Sequence, residues 1–485
     1  MTEIVEMTAI ALAAAIRAKS VSCVEVATAF LNQIDRHNGA INAIVSRRSR
    51  ADVLADAADK DAMVARGQIM GPLHGLPQAI KDLDNVAGMI TSKGSPLYKD
   101  FVASTDSIMT ERMRAAGAVF VGRTNVPEFG LGSHTKNPVH GPTRNPYDHS
   151  RTPGGSSGGA AAALAMRMLP VADGSDYGGS LRNPAGWCNV FGFRPSFGTV
   201  PQGDRDLWLP SMGVNGPMAR NVPDLGMLLS VQAGYDARAP LSIHQDPAQF
   251  AQPLGRDFKG TRIAFLGDFN GALPYEAGVL ETCRAALKHF EALGCVVEDA
   301  IPDMPLDAMW RAFLVLRAWQ SGGGGRPHYD KAEERAQLNA QMIFEVESAM
   351  KLSAMDISAA SSVRSEWYRS IARLFARYDF LVLPTAQVWP FPIETRWPEV
   401  IGNTRMTTYH EWMKVVLPFT MAGIPALAMP AGFGEAGLPI GIQIAGPNHS
   451  EFACLQIADA YDRETQWVAR RRPAMWSALT HSSLP

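Results

Sequence analysis

The sequence predicts an α/β fold in which helices cover both faces of a central, twisted sheet that is mixed or largely parallel. Short apolar segments alternate with amphipathic stretches in the first half of the chain, and this alternation returns after residue 376. The 485 residues are 46% hydrophobic and 19% charged, which is typical of a globular protein with a large core. The length alone allows about three domains, but no linker or repeat divides the chain. We therefore expect a single domain over residues 1–485.

The N-terminal region, residues 1–66, is predicted to be helical. One amphipathic stretch covers residues 8–18, a second runs from an N-cap at Ser22 to about Asn38, and an alanine-rich third follows Arg50. Acidic residues precede the first stretch, where a signal peptide needs positive charge. No segment approaches the length of a membrane span. We therefore expect a cytoplasmic protein.

Residues 71–225 are predicted to form a core of alternating strands and helices. The predicted elements of this core are strands at 76–80, 118–122 and 169–172 and helices at 107–116 and 159–168. Residues 376–485 are predicted to return to the sheet. Their predicted elements are strands at 380–384, 426–430 and 440–444 and a helix at 451–464.

A region of more variable texture, residues 235–375, lies between these parts. It has a predicted strand at 262–266 followed by long helical segments. The glycine-rich run at 321–325 is too short for an interdomain linker and predicts a mobile loop. Aromatic side chains in or near this region would suit an apolar or aryl ligand. These side chains are Trp187, Trp208, Trp310, Trp319 and Phe344.

Composition excludes several classes of partner and cofactor. The net charge of −2 gives no basis for binding nucleic acid or an anionic membrane. The cysteines are five in number, scattered, and without a C-x-x-C pair, so we expect buried thiols rather than disulfides or a zinc site. The histidines form no H-E-x-x-H motif. We therefore expect neither a metal nor another cofactor.

Two glycine clusters that contain serine are the strongest chemical signal in the chain. They occupy residues 154–159 and 178–180, and Ser156 and Ser180 lie within them. Glycines beside a serine allow backbone N–H groups to approach one point, as the stabilisation of an oxyanion requires. This pattern points to acyl transfer. A serine hydroxyl is a weak nucleophile, however, and needs a base.

Histidine is the first candidate for that base. Residues 154–158 match the G-x-S-x-G elbow of α/β-hydrolases, which would require a histidine further along the chain. His289, His410 and His449 are available, but no sequence context marks any of them. The preceding segment, 147–153, reads as a loop rather than as the strand that an elbow needs. This alternative is therefore disfavoured but stays open.

A lysine is the second candidate. Lys81 ends the apolar segment 75–80, and burial of a lysine lowers its pKa because a low dielectric penalises the ammonium form. Such a lysine can accept a proton near neutral pH. Ser156 could relay the proton, since a hydroxyl both donates and accepts. Taken alone, Lys81 would more simply be a solvated strand end.

Further segments occur in the order and spacing of a known family. These segments are 71–82, 124–129, 152–159 with 182–185, 192–196, 216–220, 384–385 and 437–443. Together they resemble the amidase signature family of serine hydrolases over nearly the whole chain. The resemblance implies that residues 71–225 are the catalytic core and that residues 235–375 shape the substrate pocket. The segment 185–189 looks most similar to xenobiotic-type amidases, which include nylon-oligomer, aryl-acylamide and carbamate hydrolases.

The resemblance implies roles for individual residues. Ser180 would be the nucleophile, Ser156 a bridging serine on a cis peptide bond, and Lys81 the base and acid. Ser157 is the less favoured bridge because it breaks the family spacing. The implied oxyanion hole consists of the backbone amides of Tyr177, Gly178, Gly179 and Ser180. The implied structural supports are Asp176, Arg182 and Ser175.

The implied activity is hydrolysis of linear or aryl amides, with carbamates and esters as further substrates. We expect a small-molecule amide substrate, and a homodimer stays open. Tyr177 is bulkier than is usual in the family, and Thr420 stands where the family usually has asparagine, so the substrate is not defined. The alternative is an A-type subunit of a tRNA-dependent amidotransferase, which would need partner subunits.

Overall fold

The computed structural model describes residues 2–203, 206–209 and 211–474. Its strands are β1 (Ile44–Val45), β2 (Pro77–Lys81), β3 (Val119–Thr124), β4 (Lys136–Asn137), β5 (Gly141–Pro142), β6 (Val171–Asp176), β7 (Phe191–Arg194), β8 (Val214–Ala219), β9 (Arg262–Phe265), β10 (Val296–Asp299), β11 (Phe380–Pro384), β12 (Val400–Ile401), β13 (Thr404–Arg405), β14 (Ala426–Phe433) and β15 (Pro439–Ala445). Its α-helices are α1 (Thr2–Glu6), α2 (Ala9–Arg17), α3 (Cys23–Ile41), α4 (Arg50–Ala65), α5 (Ile108–Ala115), α6 (Gly158–Ala165), α7 (Arg182–Trp187), α8 (Val222–Gln232), α9 (Val279–Ala292), α10 (Leu306–Arg317), α11 (Gly323–Tyr329), α12 (Ala332–Arg335), α13 (Ala340–Ala349), α14 (Ala354–Phe375), α15 (Leu417–Ala422), α16 (Glu451–Thr465) and α17 (Trp467–Arg470). A π-helical turn covers Ala318–Gly322.

Among the described residues, eight strands form one sheet in the order β10-β9-β11-β15-β14-β7-β8-β6. β9 pairs in parallel with β10 and with β11. The other neighbouring pairs of this sheet are antiparallel. The predicted mixed sheet is confirmed, and the largely parallel alternative does not hold.

A smaller sheet, in the order β1-β3-β2, lies beside the β6 edge of the larger one. β3 is antiparallel to β1 and parallel to β2. At the seam between the two sheets, the Asp173 carboxylate on β6 accepts a hydrogen bond from the backbone N–H of Lys81 on β2, at 3.1 Å. This bridge holds the end of β2 against β6.

Alternation along the strands divides the apolar side chains between two core clusters. On β11, Phe380 and Val382 belong to one cluster, whereas Leu381 and Leu383 belong to the other, because successive side chains point to opposite faces. The first cluster contains the buried faces of α9 and α16, and the second contains those of α10 and α14. Helices therefore cover both faces of the sheet, as predicted.

The predicted N-terminal helices are present. α2 begins after Thr8, whose side chain accepts from the N–H of Ala11. α3 begins after Ser22, which forms a capping box with Glu25: the Glu25 N–H donates to Ser22 Oγ at 3.1 Å, and the Ser22 N–H donates to the Glu25 carboxylate at 2.8 Å. α3 ends at Ile41, slightly beyond the predicted boundary.

The predicted mobile loop at 321–325 is wrong, because these residues are helical. They complete the π-helical turn and begin α11. Gly322 and Gly325 lie so close to α13 that an added Cβ would overlap the Glu345 backbone or the Met342 side chain. Packing against α13 therefore outweighs the low helix propensity of glycine.

The five cysteines are all buried and unpaired, as predicted. Within the described residues, no helix combines the length and the apolar character that a membrane crossing needs. Residues 475–485 of the predicted C-terminal segment lie outside the described residues.

Candidate active site

Lys81 is the last residue of β2, and its side chain is fully buried. Its Nζ lies within hydrogen-bonding distance of Ser156 Oγ at 2.8 Å, of Ser157 Oγ at 2.8 Å and of Ser175 Oγ at 2.9 Å. A solvated strand end is therefore excluded. The three hydroxyls surround the amine with groups that both donate and accept protons.

Ser156 connects this amine to a large cavity. The Gly155–Ser156 peptide bond is cis, and Ser156 lines the cavity. Ser157 is the N-cap of α6, is fully buried, and is not among the lining residues. Of the adjacent serines Ser156 and Ser157, Ser156 lines the cavity and Ser157 does not; Ser175, the third serine beside Lys81, lines it as well.

The first glycine cluster lies where backbone and side chains approach closely. An added Cβ at Gly158 would overlap Thr135 Oγ1, and one at Gly159 would overlap the backbone N of Asn125. Gly154 has a φ of 82°, which favours glycine. These glycines therefore allow α6 to start against the neighbouring loop.

Ser180 lies in the loop between β6 and α7, and it lines the same cavity as Ser156. The loop is held by the Asp176 carboxylate, which accepts the N–H of Gly179 at 2.9 Å and the N–H of Leu181 at 3.1 Å. Gly179 has a φ of 95°, and an added Cβ there would collide with Val416. The position of Ser180 thus depends on one buried carboxylate and one glycine.

Asp176 also pairs with two buried guanidinium groups. Its carboxylate lies 3.0 Å from Arg182 Nη2 and 3.2 Å from Arg194 Nη1, and all three side chains are fully buried. Burial acts to raise the pKa of Asp176, but the charges and hydrogen bonds of Arg182 and Arg194 hold it well below its usual range. The sequence indicated the pair with Arg182; the second guanidinium, from Arg194, was missed.

Thr420 also accepts a hydrogen bond from Arg182. Arg182 Nη2 donates to Thr420 Oγ1 at 2.7 Å, and Nη1 donates to Gln443 Oε1 at 2.6 Å and to the Val416 carbonyl at 2.7 Å. Threonine at position 420 therefore supplies an acceptor for Arg182, and it fixes this guanidinium rather than the substrate.

The backbone amides near Ser180 differ from the predicted set in one member. The Gly179 N–H already donates to Asp176. The amides of Tyr177, Gly178 and Ser180 form no hydrogen bond within the part of the chain that the structure describes. Three of the four predicted amides are thus available to an oxyanion.

Asp173 is a site residue that sequence reasoning missed. It is fully buried, and it accepts the backbone N–H of Lys81. Burial raises its pKa to about 7, and the charge of Asp84 adds to this effect. The available signal was its spacing: Asp173 and Ser175 are two residues apart on a strand, so both face β2.

The cavity has a volume of about 720 Å³ and runs from the two serines to the variable region. Of the aromatic residues singled out in the sequence, Trp319 lines it. Trp187 and Trp310 are instead buried in the two core clusters. Trp208 is 66% exposed and Phe344 39% exposed, and neither is a lining residue.

None of the three candidate histidines lies among the described residues that line this cavity. His410 is buried, and its Nδ1 is hydrogen bonded to Thr408 Oγ1 at 2.8 Å. Burial lowers the pKa of His410 well below its usual value. His289 pairs with Glu464 at 3.6 Å. The described part of the chain therefore offers Ser180 no histidine base.

Comparison with known proteins gives a consistent result. Residues 25–455 match the family model described as Amidase. The chain is 33% identical over 474 residues to an acylamidase from Rhodococcus erythropolis, in a match that covers 96% of this chain and 97% of the relative. It is also 33% identical over 491 residues to the A-type chain of a glutamyl-tRNA(Gln) amidotransferase from Chloroflexus aurantiacus, covering 97% and 99%.

Among solved structures, the fold is similar to that of a bacterial aryl acylamidase of the amidase signature family. The TM-score is 0.89 at 26% sequence identity, and the match covers 96% of this chain and 99% of the other. The similarity extends over essentially the whole of both chains.

Proposed function

The chain belongs to the amidase family, and from this premise we propose that it hydrolyses the C–N bond of linear or aryl amides through an acyl-enzyme on Ser180. Family membership supports amide hydrolysis in general. The nucleophile, the proton relay and the aryl preference are the parts that we propose.

The observation that carries the proposal is the 2.8 Å hydrogen bond between Lys81 Nζ and Ser156 Oγ at the wall of the cavity that Ser180 also lines. It links a buried amine, through one hydroxyl, to the space where a substrate carbonyl would lie. No histidine or metal ligand is required for this path. The arrangement supports a serine–serine–lysine mechanism.

In the first half-reaction, Ser180 Oγ attacks the carbonyl carbon and passes its proton to Ser156, which passes its own proton to neutral Lys81. The carbonyl oxygen becomes an oxyanion, which the N–H groups of Tyr177, Gly178 and Ser180 can stabilise by about 3–4 kcal/mol. Collapse of this intermediate breaks the C–N bond. The leaving nitrogen takes the proton back from Lys81 through Ser156.

In the second half-reaction, water attacks the acyl group on Ser180 and gives up a proton along the same path. The carboxylic acid leaves, and Ser180 recovers its hydroxyl proton. Carbamates and esters also contain a carbonyl carbon that Ser180 can attack in the same way, so we include them as further substrates. The apolar residues of the cavity, such as Phe129, Leu131 and Trp319, favour an apolar or aryl group.

The similarity to the A-type chain of an amidotransferase keeps one alternative open. Such a chain would act only within a complex. Hydrolysis of a simple aryl amide by the purified protein alone would exclude this alternative, whereas activity that requires added partner chains would favour it.

Substitutions at the three residues test the mechanism. Ser180→Ala should lower kcat on an aryl anilide by about 10⁴-fold or more. Lys81→Ala should lower it by about 10²–10⁴-fold, and Lys81→Met, which fills the same space, should lose as much. Ser156→Ala should be impaired far more than Ser157→Ala, because Ser156 lines the cavity and Ser157 does not.

Covalent labelling provides an independent readout. A fluorophosphonate should label the wild-type protein and leave Ser180→Ala unlabelled. Labelling of Ser180→Ala, or full activity of Lys81→Met, would contradict the assignment.

A further inference from the structure

The glycine run at 322–325 presents two different faces. Gly322 and Gly325 face α13, and a Cβ at either position would overlap that helix. At Gly323 and Gly324, an added Cβ would have no atom of the described residues within 4 Å, and both glycines line the cavity. Helical geometry explains the division, since residues three apart share a face and those between them do not. Gly323 and Gly324 are therefore not required for packing against α13.

The π-helical turn that precedes these glycines supplies the rest of the wall. Trp319, Gln320 and Ser321 all line the cavity. A π-helical turn inside a longer helix is rare and occurs often at functional sites. The wall thus combines an indole ring, a carboxamide and bare helical backbone.

Gln320 is held in place by the loop that carries Ser180. Tyr177 OH donates to Gln320 Oε1 at 2.8 Å, and the Arg317 guanidinium lies 4.7 Å from the centroid of the Tyr177 ring. Arg317 is itself fixed by Glu345 at 3.0 Å. Within the described residues, no hydrogen bond uses the Gln320 amide nitrogen, so its two N–H groups remain for a ligand.

We propose that the wall formed by Trp319, Gln320, Gly323 and Gly324 is the specificity-determining surface of the cavity. A flat aryl group of the substrate lies against the bare backbone of Gly323 and Gly324, beside Trp319. An acceptor atom on that group takes an N–H from Gln320. This assignment rests on the proposed amidase function, and it names the substrate class as aryl amides with a hydrogen-bond acceptor on the ring.

Side chains introduced on this wall provide the test. Gly323→Ala, Gly324→Ala and Gly324→Leu should leave the thermal midpoint unchanged or raised, because the added Cβ atoms meet no described neighbour and glycine is a poor helix former. Gly39→Ala and Gly39→Leu are matched controls, since Gly39 lies in α3 and its added Cβ likewise has no described atom within 4 Å.

The substrates are propionamide, acetanilide, N-(2-naphthyl)acetamide and N-methyl-2-naphthamide, so that the ring lies on either side of the amide. Gly324→Leu should lower kcat/KM for one or both naphthyl amides by about 10–200-fold, the usual range for steric discrimination in a pocket. Propionamide should be hydrolysed as by the wild type, and the Gly39 variants should match the wild type throughout. Equal losses on all four substrates, or no loss on the naphthyl amides, would overturn the assignment.

Gln320→Met separates the polar contact from the shape of the wall. It should remove the preference for 4-acetylacetanilide over 4-isopropylacetanilide, measured as the ratio of their kcat/KM values. An unaltered ratio would contradict the role of Gln320.

Equilibrium binding distinguishes failure of this inference from failure of the proposed function. If the wild type hydrolyses none of the amides, the proposed function fails. Binding of the unreactive ketone 2-acetonaphthone then tests the role of the wall by itself. Weaker binding to Gly324→Leu than to Gly39→Leu would support that the wall binds aryl groups, and equal binding would refute it.

Discussion

Replacement of Asp176 by alanine should destabilise the protein strongly, because this carboxylate compensates two buried guanidinium groups. Asp176, Arg182 and Arg194 are all fully buried, with ion-pair distances of 3.0 and 3.2 Å. Removal of one partner from a buried ion pair costs about 3–5 kcal/mol, since the remaining charge loses its compensation. The N–H groups of Gly179 and Leu181 also lose their acceptor.

The expected shift in melting temperature follows from the size of the chain. An unfolding entropy of about 2.1 cal/mol/K per residue, applied to 485 residues, gives about 1 kcal/mol/K. A loss of about 4 kcal/mol therefore corresponds to a decrease of about 4 °C in Tm. Differential scanning calorimetry on the wild type and on Asp176→Ala measures this directly.

The matched control is Asp299→Ala. Asp299 pairs with Arg284 at 3.0 Å, but both side chains are more than half exposed, so little change in Tm is expected. An Asp176→Ala protein with wild-type Tm and lost activity would refute the reasoning, because Asp176 would then act in the chemistry rather than as a support.

Three further predictions concern other buried groups. The pKa of Asp173 is raised to about 7, so its contribution to stability is present below pH 4 and is lost as the pH rises towards 7. Urea titrations give the free energy of unfolding of Asp173→Asn minus that of the wild type, and this difference should therefore be more positive at pH 7.5 than at pH 4.5. An equal difference at both pH values would contradict the prediction. Gly159→Ala should lower the urea midpoint, because its Cβ would overlap backbone atoms of Asn125, whereas Gly39→Ala should not. The five buried cysteines should react with a thiol reagent only after unfolding, and prompt reaction of the native protein would show that this burial is incorrect.

The local motifs made the general fold and the main site residues predictable. Alternation of apolar segments predicted the mixed sheet and its helical layers, and capping patterns placed the start of α3 at Ser22. Lys81, Ser156 and Ser180 were recognisable from their immediate sequence neighbours. Their roles remain predictions, but Lys81 and Ser156 lie within hydrogen-bonding distance and Ser156 shares a cavity with Ser180.

Features that depend on distant neighbours were not predictable in this way. Trp187 directly follows a motif of the site in sequence, yet it stacks on Trp412 in the core, with ring centroids 5.8 Å apart. Gly179 was predicted to serve an oxyanion, but its N–H is taken by Asp176. In both cases the partner is chosen by the folding of the chain and not by the neighbouring residues.

The sequence by itself determined the architecture, the residue types of the site and the family, because these depend on periodicity and on short motifs with restricted local conformations. Only the tertiary structure decided which groups surround Lys81, which backbone amides near Ser180 are already hydrogen bonded, and that the glycine run is helical. Packing on α13 turns the residues predicted as a loop into a helix, and leaves Gly323 and Gly324 bare at the cavity. The physical reason is that burial and hydrogen-bond pairing are properties of neighbours in space, which a linear pattern does not specify.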